Sequence, residues 1–331
     1  MTWNFIGHST TTDLIEQMIS ENRLSNAYLI SGQKQLGKMT LAIDFSAAVN
    51  CRNSNPPCNT CDQCLRIYAG VHTDLQVVSL DKVSNFRSIG IDDIRDCLSQ
   101  VFLMPFEGNY RFIIVEDSHL LTREAANAFL KILEEPPPHL IVVLLTSDLN
   151  GILPTIISRC QQITLAPIST DEISVSLINH WDADQEFANN IAQISGGSMG
   201  KAIELFSDPS ILEIRNRRSE ILLELINGTI IERFEYVSDL AFSENMEIHA
   251  ILDLWLILCK NALLYGTVGN SIKDIDVFFY KGLEKFGFSN KQVLLFIEEI
   301  RNAKELINLN VDKRLVLEQL MLSFPTMSNE T

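Results

Sequence analysis

Short apolar runs alternate with longer amphipathic stretches along the first 150 residues of the chain. Apolar runs bounded by polar positions predict buried strands, at 27–31, 75–80, 111–115 and 140–145. Apolar positions at helical spacing predict helices, over 11–22, 41–49, 91–102 and 124–133. Pro136, Pro137 and Pro138 end the last of these, because proline cannot continue a helix. Strands that alternate with helices predict an α/β domain with a mainly parallel sheet covered on both faces.

The strand pattern disappears after about Pro167, and only helical periodicity follows. Two or three short helices are predicted over 170–206, around the break at Gly196 and Gly197. Longer amphipathic helices are predicted over 210–325, such as 211–226 and 291–307. We therefore predict three domains, an α/β domain, a small helical domain and a larger all-α domain, with bounds 1–166, 167–208 and 209–331.

Composition narrows the class of protein further. Of 331 residues, 46% are hydrophobic and 21% charged, the balance of an ordinary globular chain. The longest apolar runs are far too short to span a bilayer, and the first residues carry no secretory pattern, so a cytoplasmic protein is expected. The formal net charge of −16 makes the chain a poor candidate for gripping DNA phosphates alone. Solubility is an equally good reason for this acidity.

A phosphate-binding loop follows the first predicted strand. The segment from Gly32 to Lys38 fits the pattern G-x-x-x-x-G-K between a strand and a helix. In such loops backbone N–H groups surround the phosphates of a nucleotide, and the lysine, here Lys38, reaches the outer phosphoryl groups. Gly32, Gly37 and Lys38 are therefore candidate ATP-binding residues.

The loop departs from the usual pattern at the position that binds magnesium. Met39 stands where a Ser or Thr hydroxyl normally holds Mg²⁺, and a thioether is a poor ligand for this hard cation. Thr40 is the nearest hydroxyl and the remaining candidate, but it lies about 100° further around the helix. The loop is expected to hold ATP and Mg²⁺ weakly and to hydrolyse ATP slowly or not at all.

Two acidic residues end the predicted strand at 111–115. Glu116 and Asp117 occupy the place where nucleotide-binding sheets supply one carboxylate for Mg²⁺ and one to polarise the attacking water. An Asp followed by a Glu is the expected order, and this chain has the reverse. Because adjacent strand residues face opposite sides of a sheet, the order matters. The alternative is that the two acids merely end a strand.

Four of the seven cysteines are clustered between residues 51 and 64. Cys51, Cys58, Cys61 and Cys64 form the spacing C-x6-C-x2-C-x2-C, which suits tetrahedral Zn²⁺. An iron–sulfur centre is the competing interpretation, but the proline that commonly follows its last cysteine is absent. Disulfides are not expected without a secretory signal. The other three cysteines are expected to be small buried hydrophobic residues, namely Cys97, Cys160 and Cys259.

The first 165 residues resemble the bacterial clamp-loader branch of the AAA+ ATPases. The resemblance rests on the phosphate loop, Glu116-Asp117-Ser118-His119, the segments 127–136 and 154–160, and the cysteine insertion. It implies a P-loop AAA+ domain with an inserted zinc module, followed by a small helical lid domain and an all-α collar domain that joins subunits. The implied partners are other clamp-loader subunits (of the gamma/tau and delta types) and, through the complex, a sliding clamp and primed DNA.

The resemblance also assigns roles to individual residues. Ser158-Arg159-Cys160 is similar to the family's arginine-finger motif, so Arg159 is expected to reach nucleotide held by a neighbouring subunit. A local salt bridge is the alternative role for this arginine. Thr146 falls where the family places a polar residue that senses the terminal phosphate, although a capping hydroxyl is also common there. In the lid segment, Gly200 stands where ATP-hydrolysing relatives carry an arginine.

Met39, the reversed acidic pair and Gly200 each weaken the chain's own ATP hydrolysis, while Arg159 is intact. This asymmetry favours a stator-like clamp-loader subunit that completes the active site of a neighbour in DNA replication. An active clamp-loader ATPase of the gamma/tau type is the alternative. A zinc-dependent adaptor with no affinity for ATP is a third possibility.

Overall fold

A computed structural model describes residues 3–80, 88–268 and 289–324. The chain divides into two compact units, Met1–Glu204 and Leu205–Thr331. The finer division of the first unit at residue 166 stays a prediction. Residues 269–288 and 325–331 of the predicted collar domain lie outside the described residues.

A five-stranded parallel sheet forms the centre of the first unit, in the order β2-β3-β4-β1-β5. The strands are β1 (Ala27–Ser31), β2 (Leu75–Val78), β3 (Arg111–Val115), β4 (Leu140–Thr146) and β5 (Gln161–Thr164). Every residue of β1, β3 and β4 is buried, as expected where helices cover both faces of a parallel sheet. The prediction of an α/β domain with a parallel sheet is confirmed.

Within the described residues, six helices connect and cover these strands. They are α1 (Ser9–Ser20), α2 (Lys38–Asn50), α3 (Asp62–Tyr68), α4 (Ile91–Gln100), α5 (Arg123–Glu134) and α6 (Pro154–Ile157). One apolar cluster, around Phe45 and Phe112, lies on one side of the sheet, and another, around Phe129, lies on the other. The bounds of β1 and β3 agree with the prediction, whereas α3, α6 and β5 were not predicted. In β5 only Ile163 is buried, so no apolar run marked it.

Three short helices complete the first unit and its boundary with the second, as the pattern predicted. They are α7 (Thr170–Trp181), α8 (Gln185–Ile194) and α9 (Met199–Ser207). Helix α7 begins with a capping box in which the Ser169 hydroxyl accepts from the backbone N–H of Glu172, and the Glu172 carboxylate accepts from Ser169.

The described part of the second unit is helical. Its helices are α10 (Ser210–Asn227), α11 (Ile230–Leu240), α12 (Asn245–Val268), α13 (Asn290–Asn308) and α14 (Lys313–Leu322). Trp255, fully buried, packs edge-on against Phe324 in their shared core. The buried guanidinium of Arg233 donates to the carbonyls of Leu225, Ile226 and Met321. Among the described helices, none is long and apolar enough to cross a membrane.

Candidate functional site

The phosphate-binding loop joins the carboxyl end of β1 to the start of α2. Gly37 begins the helix at a φ of 89°, and an added Cβ there would lie 2.9 Å from a ring carbon of Phe5. Glycine is therefore required both by the backbone conformation and by the close approach of Phe5. The Lys38 ammonium donates to the carbonyls of Gly32 (2.8 Å) and Gln33 (2.6 Å), which keeps it against its own loop.

The acidic pair and Thr146 lie at the same edge of the sheet as the loop. Strand β4 pairs with both β1 and β3, and the Gly32 N–H donates to the Thr146 carbonyl at 3.2 Å. Burial lowers the pKa of Lys38, while the nearby carboxylates of Asp117 and Glu116 act in the opposite direction. The structure therefore brings together six of the predicted candidates at the carboxyl edge of the sheet, namely Gly32, Gly37, Lys38, Glu116, Asp117 and Thr146.

Asp117 does not continue the strand that precedes it. Its φ of 43° and ψ of 47° place it in the left-handed region, and it begins a short 3₁₀ helix at Ser118. The Ser118 hydroxyl donates to the carbonyl of Leu145 at 2.9 Å and ties this turn to β4. The alternation of strand side chains therefore ends at Glu116, and it does not determine where the Asp117 carboxylate points.

The hydroxyl of Thr146 is fully buried and makes local contacts. It donates to the Asp148 carbonyl at 2.8 Å, accepts from the Asp148 N–H at 3.1 Å, and lies 3.3 Å from Nδ1 of His119. These contacts are the capping chemistry that the sequence offered as an alternative. The phosphate-sensing role stays a prediction.

Met39 and Thr40 occupy different environments at the start of α2. The Met39 side chain is half-buried and packs against the apolar cluster that contains Phe5 and Leu41. Thr40 is exposed on the helix surface. Met39 thus serves the core rather than the loop, which gives a physical reason for the missing hydroxyl.

Arg159 lies at the opposite edge of the sheet from the phosphate-binding loop. It precedes β5, whose first residue, Gln161, pairs with Tyr28 in β1. Gly32, where the loop begins, is four residues further along the chain than Tyr28. At a rise of about 3.3 Å per residue, the start of β5 is therefore roughly 13 Å from the loop. The guanidinium contacts Glu134, the last residue of α5. The chain's own phosphate loop is therefore out of its reach in this arrangement.

A surface ion pair holds the Arg159 side chain. One guanidinium nitrogen lies 3.0 Å from Oε1 of Glu134, and another donates to the Thr155 carbonyl at 3.0 Å. The side chain of Arg159 remains 36% exposed and that of Glu134 55% exposed. Exposed pairs of this kind contribute only about 0–1 kcal/mol. The local salt bridge foreseen as an alternative is present, and it is weak enough to be exchanged for a phosphate.

The four clustered cysteines converge as the spacing predicted. The sulfur atoms of Cys51, Cys58, Cys61 and Cys64 all lie within 4.8 Å of one another, and two of their separations are 3.9 Å. Four sulfurs at 2.3 Å from a tetrahedral ion would stand about 3.8 Å apart. This donor set could hold a metal ion. Cys97 and Cys160 instead pack against apolar clusters, and Cys259 is buried in one.

Hydrogen bonds around the cluster favour thiolate sulfur. The N–H of Asn53 donates to Sγ of Cys51 at 3.4 Å, and the N–H of Cys61 donates to Sγ of Cys58 at 3.2 Å. Hydrogen bonds from Thr60 lower the pKa of the Cys58 thiol to about 5, whereas burial raises the pKa of the Cys51 and Cys64 thiols. Since metal ions bind thiolates, Cys58 is the cysteine whose surroundings best suit a ligand before an ion is bound.

Buried polar contacts connect the cysteine cluster to the sheet. Nδ1 of His72 accepts from the Asp74 N–H, so Nε2 carries the proton and donates to the side-chain oxygen of Gln63. Gln63 lies between Cys61 and Cys64 in the sequence. The Arg66 guanidinium pairs with Glu107 at 3.2 Å, and Glu107 also accepts from Thr73. The cluster is thereby fastened to the loop that follows α4.

That loop presents large apolar side chains to solvent around a buried carboxylate. Asp74, fully buried, accepts the N–H groups of Phe106, Glu107 and Gly108 at 2.8–2.9 Å and lies 3.3 Å from the Arg111 guanidinium. The exposed side chains are Phe102, Leu103, Met104 and Phe106, at 57–82%. Sequence reasoning missed Asp74, because a single acid before a strand carries no motif.

Comparison with known proteins shows what the chain is similar to. A family model described as "DNA polymerase III, delta subunit" matches residues 7–169. The DNA polymerase III subunit delta' of Bacillus subtilis is 28% identical over 315 residues, 93% of this chain and 93% of that protein. The chain is therefore similar to this family over residues 7–169, and to the delta' subunit over nearly its whole length. The resemblance predicted from the motifs of the first 165 residues is thereby confirmed.

Gamma and tau subunits of DNA polymerase III are also similar to this chain. The tau subunit of B. subtilis is 35% identical over 207 residues, 60% of this chain. The chain spans 36% to 56% of the length of the first gamma and tau relatives that it matches. A crystal structure of a gamma-subunit-related protein from Thermotoga maritima covers 93% of this chain and 97% of its own, at 19% identity and a TM-score of 0.43. A similarity at that level supports no conclusion about the function of this chain.

Proposed function

We propose that the chain is a delta-prime-like clamp-loader subunit that donates Arg159 to ATP bound by a neighbouring subunit. The observation that carries this proposal is the position of Arg159, which lies at the sheet edge opposite the chain's own phosphate loop and is held by one exposed ion pair. A guanidinium that is available at the surface and remote from its own loop can act only on a nucleotide brought by a partner. The partners would be gamma/tau and delta subunits, and the complex would load a sliding clamp on primed DNA.

The proposed subunit contributes little ATP hydrolysis of its own. Met39 is committed to the apolar core, and the exposed Thr40 is the only hydroxyl nearby in the first turn of α2. The experiment that tests the proposal compares DNA-stimulated ATP turnover of complexes reconstituted with the wild-type chain and with Arg159→Ala. Turnover should fall in the variant complex, and the expected size of the loss is argued in the Discussion.

An active ATPase of the gamma/tau type is the second candidate, because the B. subtilis tau subunit is 35% identical over 207 residues, against 28% over 315 residues for the delta' subunit. It predicts multiple turnovers by the isolated chain that Lys38→Ala abolishes. Our proposal predicts no such turnover, so this single measurement separates the two.

We propose Zn²⁺ as the ion held by the four cysteines, in a structural role. Four thiolates fill a tetrahedral coordination shell, so no position remains for a substrate or a water.

Cys61→Ser should reduce the zinc content of the purified protein, because serine does not replace a thiolate ligand. Elemental analysis checks this, with Cys97→Ser as the matched control outside the cluster. Equal zinc content in Cys61→Ser and the wild type, or no zinc in either, would contradict the proposed site.

We also propose that the second unit joins the chain to its partners as a collar. Helix α13 buries Val293, Phe296 and Ile300 while it leaves Leu294 52% exposed and Leu295 53% exposed. These two exposed leucines are candidates for a contact with another subunit.

Leu294→Lys combined with Leu295→Lys should weaken co-purification with the partner subunits, because a charge cannot be buried cheaply in an apolar contact. Glu213→Lys, at an exposed position of α10, changes the net charge by the same two units and is the control. Unaltered assembly of the double variant would remove this face from the proposed collar.

A further inference from the structure

The start of helix α9 is bonded directly to the phosphate-binding loop. The carbonyl of Gln35, in the middle of the loop, accepts from the Gly200 N–H at 2.9 Å and from the Ser198 hydroxyl at 2.8 Å. The same hydroxyl accepts from the N–H of Lys201 and so also caps the helix. At the side-chain end, Nε2 of Gln35 donates to Glu204 at 2.7 Å. Three hydrogen bonds therefore connect one loop residue to the first two turns of α9.

Glycine is required at position 200 for this contact to form. A Cβ added there would lie 2.6 Å from the Gln35 carbonyl oxygen and 3.2 Å from the Gln35 Cβ. Gln35 itself has a φ of 62°, a left-handed conformation that is uncommon outside glycine. Position 200 is where the family resemblance led us to expect an arginine. Its glycine thus has a steric cause, because any side chain would separate the helix from the loop.

We propose that Gln35, Ser198 and Gly200 form a latch that holds α9 against the phosphate-binding loop whether or not nucleotide is bound. A ligand can shift a conformational equilibrium only by binding one state better than another. The latch holds α9 against the phosphate-binding loop through protein contacts alone. Nucleotide binding therefore does not have to bring the helix and the loop together. The latch makes this part of the chain a fixed body, and it is independent of the role proposed for Arg159.

Hydrogen exchange of the full-length, nucleotide-free chain tests the latch. The first N–H groups of a helix have no intrahelical partner and ordinarily exchange quickly. The amide of Gly200 instead donates to the Gln35 carbonyl, so it should exchange slowly in the wild type. Gly200→Ala should speed exchange of the segments 33–37 and 199–203 on the order of tenfold or more, since an opened contact exposes its amides.

Matched variants separate the latch from general loosening. Gly196→Ala also adds a methyl group just before α9, at a φ of 61° where a Cβ meets nothing within 4 Å. It strains its own left-handed backbone without touching the phosphate-binding loop, so exchange in the loop should stay unchanged. Ser198→Ala removes the hydrogen bond to the Gln35 carbonyl and the cap on the Lys201 N–H, but it keeps the contact of Gly200 with the loop. It should therefore raise exchange in both segments by a smaller factor than Gly200→Ala. This second variant keeps the test decisive if Gly200→Ala fails to fold.

Two results would overturn the proposal. One is fast exchange at Gly200 in the nucleotide-free wild type with protection appearing only after ATP and Mg²⁺ are added, which would make nucleotide the element that closes the helix. The other is equal exchange of the loop in the wild type, Gly200→Ala and Ser198→Ala. Slow exchange in the nucleotide-free wild type, lost in both variants and kept in Gly196→Ala, supports it.

Discussion

A complex reconstituted with Arg159→Ala should assemble normally and lose most of the ATP turnover at the one site that the arginine completes. Arginine fingers contribute on the order of 10³-fold or more to turnover at the site that they enter. The DNA-stimulated ATP turnover of the whole complex should therefore fall by about the fraction that this one site contributes. The ion pair with Glu134 is exposed and contributes about 0–1 kcal/mol, so the variant chain should fold as the wild type does.

Two control variants make this result specific. Arg159→Lys keeps the charge but loses the planar fork of donors, so it should recover only part of the turnover. Lys131→Ala removes an exposed cation from the same end of α5 and should have no effect. Full turnover in the Arg159→Ala complex, measured at saturating ATP and primed DNA, would refute the donated role.

Asp74→Ala should lower the free energy of unfolding by about 3–5 kcal/mol, because it leaves the Arg111 guanidinium buried without its partner. Three backbone N–H groups would lose their acceptor at the same time. Chemical denaturation followed by a signal from the first unit measures the change. Asp92→Ala, at an exposed acid of α4, should change the free energy by less than about 0.5 kcal/mol.

The double variant Asp74→Ala with Arg111→Met should be more stable than Asp74→Ala alone, because it removes the uncompensated charge. A double variant no more stable than the single one would show that the lost N–H contacts, rather than the buried cation, dominate the cost.

The same carboxylate predicts a dependence of stability on pH. Burial by itself raises the pKa of Asp74, but the three N–H groups and Arg111 outweigh it and lower the pKa below its ordinary value. The carboxylate therefore contributes stability above the pKa of the unfolded chain, and this stability is lost as pH falls through the folded-state value. Stability of Asp74→Ala should fall less steeply over that acidic range than stability of the wild type.

Local sequence was sufficient to predict an element or a site where one physical effect dominates its formation. Continuous apolar runs predicted the observed bounds of β1 and β3. The cysteine spacing predicted the cluster whose four sulfurs lie within 4.8 Å of one another. In α1, by contrast, the helical spacing of apolar residues does not indicate that Leu14 is 45% exposed while Ile15 and Met18 are buried. Helical spacing defines a face, but the neighbours of that face decide which of its positions are covered.

The features that sequence reasoning missed depend on residues far apart in the chain. Strand β5 exists because β1 offers it a partner, and its own residues carry a single buried apolar side chain. The glycine at 200 is explained only by the approach of Gln35, and the buried acid at 74 only by the loop that it organises. Such contacts leave no pattern in a window of sequence, because each partner appears ordinary by itself.

The placement of Arg159 and the phosphate-binding loop at opposite edges of one sheet gives the subunit a direction. Any two chains of this fold that meet through those edges must be arranged head to tail, with unlike surfaces in contact. In the proposed complex, such contacts would place each subunit between two different neighbours. Its arginine would face one of them and its phosphate-binding loop the other.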